Sequence, residues 1–341
     1  MGAGGGSRPR LVVLAPGPLF ASFFDAARQR RLSRSFRWTR VGGRRPRAEM
    51  RAGLRDAEAL ITTWDSPRFG EELLALAPRL RAIGHCGGEV KGRFAAPLFS
   101  RLAITNAPGP MAAPVAELAL TFLLQAARDV DFYRSALRRP SNAIYARLHR
   151  EAAGDQTLRG TPVGLLGFGR IGREIAALLA PLGARVLVHD PFASPREVRR
   201  ARGEPVSWAD LLRRSRHLVL AAALTERTRG LLDAAALRRL PDGTTVINVA
   251  RGGLVDLAAL TREVRSGRLR CALDVTDPEE PLPPRHPLRR APGAVLTPHV
   301  GAAQRSVRLA IAEVVLTDLE RLFRGRAPLN RVTASMLARM T

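Results

Sequence analysis

Val163-Gly164-Leu165-Leu166-Gly167-Phe168-Gly169-Arg170-Ile171-Gly172 decides how this chain is read. A short apolar run leads straight into a GxGxxG loop, and a stretch with helical spacing, Arg170–Leu179, follows it. A second apolar run, Ala184–His189, then ends at Asp190, 18 residues beyond Gly172. That interval is close to the roughly 20 residues that separate the glycines from a ribose-binding acid. Each glycine has a physical reason. Gly167 permits a tight turn, Gly169 lets backbone approach a pyrophosphate, and Gly172 lets the helix pack closely on the strand. The helix start, with Arg170 and Ile171, presents N–H groups that have no partner within the helix. The bland alternative is a structural turn, and the strand before, the helix after and Asp190 weigh against it. The implied ligand is a dinucleotide. A carboxylate at position 190 repels a 2′-phosphate, which favours NAD over NADP.

The same alternation extends outward from this loop. Leu218–Ala222, Thr245–Val249, Cys271–Val275 and Ala294–Leu296 read as strands, with helices over Trp208–Arg213, Asp233–Leu240 and Leu257–Val264. Upstream, strands are predicted at Leu11–Leu14, Ala59–Thr62 and Leu80–His85, and helices at Phe20–Leu32 and Glu71–Leu76. Apolar strands separated by helices give an α/β class: two Rossmann-like domains with doubly wound parallel sheets. Between them, apolar positions from Val115 to Leu137 keep one helical stripe, predicting a single long helix that starts near Pro114. Its apolar arc is broad enough to need cover on more than one side, from the domains or from a second subunit. Arg138–Arg159 reads as an irregular connection, Ser306–Phe323 as a last helix, and Met1–Ser7 as disordered.

Composition narrows the classes. The chain has 341 residues, enough for two domains, and carries a net charge of +25, with Lys91 its single lysine. Such a charge invites a nucleic-acid reading. The arginines run along the whole chain, however, and aromatics are only 5%, too few to interleave as base-stacking platforms. The densest cluster, Arg28 to Arg47, is the exception worth following. No apolar run is read as a membrane span. Cys86 and Cys271 lack the spacing of a zinc site, so no metal is expected, and the pair fits a reducing cytoplasm.

Three further constellations can carry chemistry. Asn248-Val249-Ala250-Arg251-Gly252-Gly253 puts an arginine at the end of a parallel strand, where open α/β sheets bind ligands. Arginine there can grip a carboxylate with two parallel hydrogen bonds and polarise a neighbouring carbonyl. Leu273-Asp274-Val275-Thr276-Asp277-Pro278-Glu279-Glu280-Pro281 is an acidic loop leaving a strand, equally readable alone as a solvated loop. Thr297-Pro298-His299-Val300-Gly301 places a histidine, the side chain suited to proton transfer near neutrality, at another strand end. The remaining five histidines show no metal spacing and read as structural or surface groups.

Taken together, these motifs resemble those of the D-isomer-specific 2-hydroxyacid dehydrogenases, over nearly all of the chain from Arg10 to Leu322. The resemblance implies a discontinuous substrate-binding domain, 8–110 plus 300–335, and an inserted NAD-binding domain, 111–299. It implies hydride transfer between NADH and a 2-oxo acid such as glyoxylate, hydroxypyruvate or a bulkier acid. Arg251 is implied to bind the acid, His299 to be the acid/base and Glu279 to pair with His299. Asp274 is implied beside the nicotinamide carboxamide, Thr228 and Ala250 along the cofactor, and Gly88, Glu89 and Val90 at the substrate carboxylate. A homodimer is implied as well. Three positions depart from the family pattern: Ala223 replaces a usual proline, and Glu89 and Lys91 are unusual in the substrate loop. The competing class is an NAD-sensing co-regulator that binds partners or nucleic acid on the same fold.

Overall fold

Strand β1 (Arg10–Leu14) is apolar after its first residue and fully covered, which makes it the middle of a sheet rather than its edge. A computed structural model describes residues 8–42, 48–138, 142–151 and 157–340. The predicted disorder of residues 1–7 therefore lies outside the described residues, as do Arg44, Arg45 and Arg47 of the basic cluster. The further strands are β2 (Arg37–Val41), β3 (Ala59–Thr62), β4 (Ala82–His85), β5 (Ala103–Asn106), β6 (Pro162–Leu166), β7 (Arg185–His189), β8 (Gly203–Pro205), β9 (His217–Leu220), β10 (Thr245–Asn248), β11 (Arg270–Leu273), β12 (Ala294–Leu296) and β13 (Arg331–Val332).

The chain divides into two units, one of residues up to 111 together with 302 onward, the other of 112–301. In the first, the sheet order is β13-β5-β4-β3-β1-β2, parallel except for β13 against β5. The last helix, Arg305–Phe323, joins this unit because β4 carries a glycine beneath it. A Cβ at Gly84 would lie 2.5 Å from Val315 Cγ1. Part of the basic cluster is used here. Arg31 Nε and Nη2 grip the Glu320 carboxylate two-pronged, both at 2.9 Å, and Arg28 pairs with Asp25 at 3.0 Å.

The second unit is an all-parallel sheet in the order β12-β11-β10-β9-β6-β7-β8. The chain runs outward from β6 to β8, then returns to β9 on the other side of β6. That reversal is the switch point at which open sheets leave a crevice. Helix Ala112–Ala127 buries Val115, Ala119, Phe122 and Leu123 in this unit.

Several expectations are corrected. The long helix is not continuous: it breaks at Asp129, which adopts φ +48° and pairs with Arg270, and resumes as Val130–Ala136. Helix Phe20–Leu32 is likewise two, Gly17–Phe23 and Ala26–Ser35, because Asp25 turns to cap the second through Arg28 N. The connection Arg138–Arg159 contains a helix, Asn142–Glu151. Gly109–Ala127 does reach the length and composition of a membrane span, contrary to the sequence reading, although 39% of it is buried within the protein.

Candidate active site

Gly167 stands at φ +95°, and a Cβ there would lie 2.6 Å from the backbone nitrogen of Ala222. The glycine loop thus touches the segment leaving β9, at the switch point. A Cβ at Gly172 would lie 2.3 Å from the carbonyl oxygen of Gly167, so the helix start sits directly on the turn. Above Gly169, by contrast, a Cβ would meet nothing within 4 Å. Gly169 caps helix Arg170–Leu179 without a side chain, leaving the first N–H groups open. An open cradle of backbone donors on a helix start fits the pyrophosphate of a dinucleotide.

Asp190 follows directly on β7, and its carboxylate is already engaged. One oxygen accepts from Phe168 N at 2.7 Å, the other from Phe192 N at 2.8 Å. Each carboxylate oxygen has two lone pairs, so both can still accept from ribose hydroxyls. Asp190 therefore staples the glycine loop to the end of β7. Thr228 closes its own loop: its hydroxyl donates to Ala223 O at 2.7 Å and accepts from Thr225 N at 2.7 Å. The carbonyl of Ala223, the departure from the family pattern, is thereby held in place.

Arg251 follows β10, and Asn248 brackets its turn. Asn248 Nδ2 donates to Arg251 O at 2.9 Å while Asn248 Oδ1 accepts from Ala250 N at 3.0 Å. The guanidinium donates to Ala250 O at 2.7 Å. A Cβ at Gly252 would lie 2.1 Å from the Thr276 carbonyl carbon. Only glycine permits this approach, which lays the arginine turn against the acidic loop.

In that loop the structure corrects the sequence assignment. The carboxylate paired with His299 Nδ1 belongs to Glu280, at 2.5 Å, and not to Glu279. Thr276 Oγ1 donates to the carbonyl of Glu279 at 2.6 Å, closing a turn whose next residue reaches the histidine, and Glu279 is left exposed. A motif offset does not separate two adjacent glutamates; the turn does.

Asp274 is nine-tenths buried or more and faces the histidine loop. Its carboxylate accepts from Thr297 Oγ1 at 2.5 Å, Val300 N at 2.8 Å and Gly301 N at 3.0 Å. Its carbonyl accepts from His299 N at 2.9 Å. The implied cofactor contact is thus joined by a structural duty that the sequence did not signal. Thr297 and Asn248 are the other site residues that sequence reasoning left unassigned, although both lie inside the motifs it singled out.

Gly88, Glu89 and Val90 lie in the other unit, after β4. Glu89 is turned back on its own loop, where Oε1 accepts from Gly92 N at 2.5 Å and Oε2 lies 3.9 Å from Arg93 Nε. Its acidic side chain is occupied within the loop rather than held out from it. Among the described residues no cluster of His, Cys, Asp and Glu could hold a metal.

Comparison with known proteins follows the same lines. A family model described as D-isomer specific 2-hydroxyacid dehydrogenase, NAD binding domain, matches residues 120–301. The chain is 34% identical over 287 residues to D-3-phosphoglycerate dehydrogenase of Mycobacterium leprae (strain TN), an alignment covering 80% of this chain and 52% of that protein. It is 33% identical over 291 residues to glyoxylate reductase of Aeropyrum pernix, covering 83% and 85%. The chain thus spans about half the length of the first relative and most of the second. Among solved structures, the TT0316 protein from Thermus thermophilus is similar with a TM-score of 0.78 and 30% identity, covering 95% of this chain and 100% of that one.

Proposed function

Since the chain belongs to the D-isomer specific 2-hydroxyacid dehydrogenase family and carries its NAD-binding domain, we propose that it interconverts a 2-oxo acid and the corresponding D-2-hydroxy acid. The observation that carries this is the His299–Glu280 pair, on a loop clamped by Asp274 and beside the turn of Arg251. A protein that only sensed the dinucleotide has no use for such a pair. Bound NADH supplies the hydride. Arg251 holds the acid and draws electron density toward its oxo oxygen. Protonated His299 delivers a proton to that oxygen as it becomes an alkoxide, yielding the hydroxyl, and Glu280 on Nδ1 keeps Nε2 turned to the substrate. In the reverse direction neutral His299 removes the hydroxyl proton. In the other unit, the backbone N–H groups of Gly88, Glu89 and Val90 are donors of the kind that bind a carboxylate.

A panel of 2-oxo acids assayed with NADH tests the reading, together with Arg251→Lys. Turnover by the wild type and a severe loss of kcat/KM in the lysine variant, with NADH affinity kept, is the supporting result, because an ammonium cannot reproduce the planar two-point grip. No NADH oxidation with any acid in the panel would overturn it.

We also infer a homodimer. Leu124, Phe132 and Leu137 are 42%, 45% and 48% exposed around helices Ala112–Ala127 and Val130–Ala136, an apolar face that a second copy would cover. Sedimentation should give a dimer that Phe132→Glu dissociates; a wild-type monomer at micromolar concentration contradicts this. A reducing, cytoplasmic location is the companion proposal, supported by two buried unpaired thiols, with burial pushing that of Cys271 up to about 12. Cell fractionation tests it.

A further inference from the structure

In the unit formed by residues up to 111 and from 302 onward, hydrogen-bond donors collect where β3 and β4 end. Among the described residues, the backbone N–H groups of Gly88, Glu89 and Val90 meet no acceptor. Neither does the indole N–H of Trp64, two residues beyond β3. Trp64 and the loop are in close approach, since a Cβ at Gly87 would lie 3.0 Å from Trp64 Nε1. Over the indole lies the guanidinium of Arg308, 5.0 Å from the ring centroid and 6.0 Å from that of Phe23. Arg308 Nη1 donates to Ser22 Oγ at 3.0 Å, and its Nε is buried with no partner. No carboxylate among the described residues lies within ion-pair distance of it.

The contrast with its neighbours is informative. Arg28, Arg31 and Arg93 all have carboxylates at hand, in Asp25, Glu320 and Glu89. A half-buried cation without a counter-charge is costly, and stacking on aromatic rings offsets only part of that cost. What the cluster lacks is an anion. Glu89, the acidic side chain of the loop, is occupied by Gly92 N, and Asp65, next to Trp64, is engaged elsewhere than in an ion pair with Arg308.

We propose that Trp64 and Arg308 determine substrate specificity by selecting 2-oxo acids that carry a second anionic group. This rests on the dehydrogenase reading above. The 1-carboxylate lies on the Gly88–Val90 backbone donors, and the distal carboxylate or phosphate lies on Arg308 and the Trp64 N–H. The competing role for Arg308 is a prop that braces the last helix against Phe23 and Trp64.

The test compares matched pairs of substrates on the full chain with NADH: oxaloacetate against 2-oxobutyrate, 2-oxoglutarate against 2-oxopentanoate, and 3-phosphohydroxypyruvate against hydroxypyruvate. The wild type should favour the dianionic member of at least one pair by about tenfold or more in kcat/KM, and the pair with the largest ratio tells carboxylate from phosphate. Arg308→Gln should lower kcat/KM for that dianion by about 10- to 100-fold and leave its partner within about threefold, while Arg308→Lys restores part of the loss. Trp64→Phe, which keeps the ring and removes the N–H, should lower only the dianion, by about threefold to tenfold. An equal loss for both members of the pair, or no preference in the wild type, overturns the proposal while leaving the dehydrogenase reading intact. If no acid turns over, that reading fails instead. Calorimetric binding of oxaloacetate and 2-oxobutyrate then decides the site alone: a loss of about tenfold for the dianion in Arg308→Gln supports it, and unchanged affinity sinks it.

Discussion

His299 is held at φ +55° by Asp274, whose carbonyl accepts from His299 N and whose carboxylate takes the next two backbone N–H groups. Left-handed backbone at a residue other than glycine costs on the order of 1 kcal/mol and persists only where neighbours fix it. Here the fixing group is a buried carboxylate one loop away. The strained conformation aims the ring; the carboxylate keeps it there.

Asp274→Asn should therefore act on His299 at a distance. An amide presents one acceptor oxygen where two are used, leaving at least one of Thr297 Oγ1, Val300 N and Gly301 N without an acceptor. The loss of about 1–3 kcal/mol expected for an unsatisfied buried group corresponds to a fall in kcat of about 10- to 100-fold. Affinity for NADH should change far less. A variant that binds NADH poorly but turns over normally when saturated would instead assign Asp274 to the cofactor.

The adjacent glutamates should separate cleanly. Glu280→Gln removes the charge that faces His299 Nδ1 and should depress kcat/KM for reduction by about tenfold or more. Glu279→Gln alters an exposed side chain, while the loop uses only the residue's backbone carbonyl, and should be near wild type. The reverse ranking would return the pairing to Glu279.

Cofactor choice follows from Asp190. With a carboxylate between the glycine loop and β7, NADH should be used more efficiently than NADPH by about tenfold or more. Exposed Arg196 and Arg199 lie near in sequence, and double replacement with serine should leave the preference unchanged. Equal efficiency with NADPH contradicts this.

Two buried imidazoles predict the acid limb of stability. Burial, with the charge of Arg93, pushes His85 down to about 3, and burial, with Arg216 and Arg270, pushes His217 down to about 4. In the unfolded chain both titrate near 6.5, so protonation there favours unfolding. Their contribution is complete above about pH 6.5 and is lost as pH falls toward the folded values, at up to about 1.4 kcal/mol per pH unit for each group. Denaturant melts between pH 7 and 5 should show this slope, and His85→Asn should flatten it. An unchanged slope would mean that His85 is protonated without cost.

The second unit was the more legible half. Its glycine loop, its acid at 190 and its alternation of strands and helices each have a local cause that sequence displays. What sequence did not display depends on long-range partners. β2 reads Arg37-Trp38-Thr39-Arg40-Val41 because it is an exposed edge, without the apolar run of an inner strand. The break at Asp129 needs Arg270, 141 residues away along the chain, and leaves the apolar spacing on either side undisturbed. Trp64 and Arg308 share no motif; only the packing of the last helix brings them together.

The double use of Asp190 has an evolutionary consequence. A lineage drifting toward the phosphorylated dinucleotide would have to discard this carboxylate, and with it the acceptor for Phe168 N–H in the glycine loop. A single replacement that relieves charge repulsion also loosens the cradle. The change is therefore passable only with a second mutation that refastens the turn, and ancestors along that route should be found carrying the fastening first.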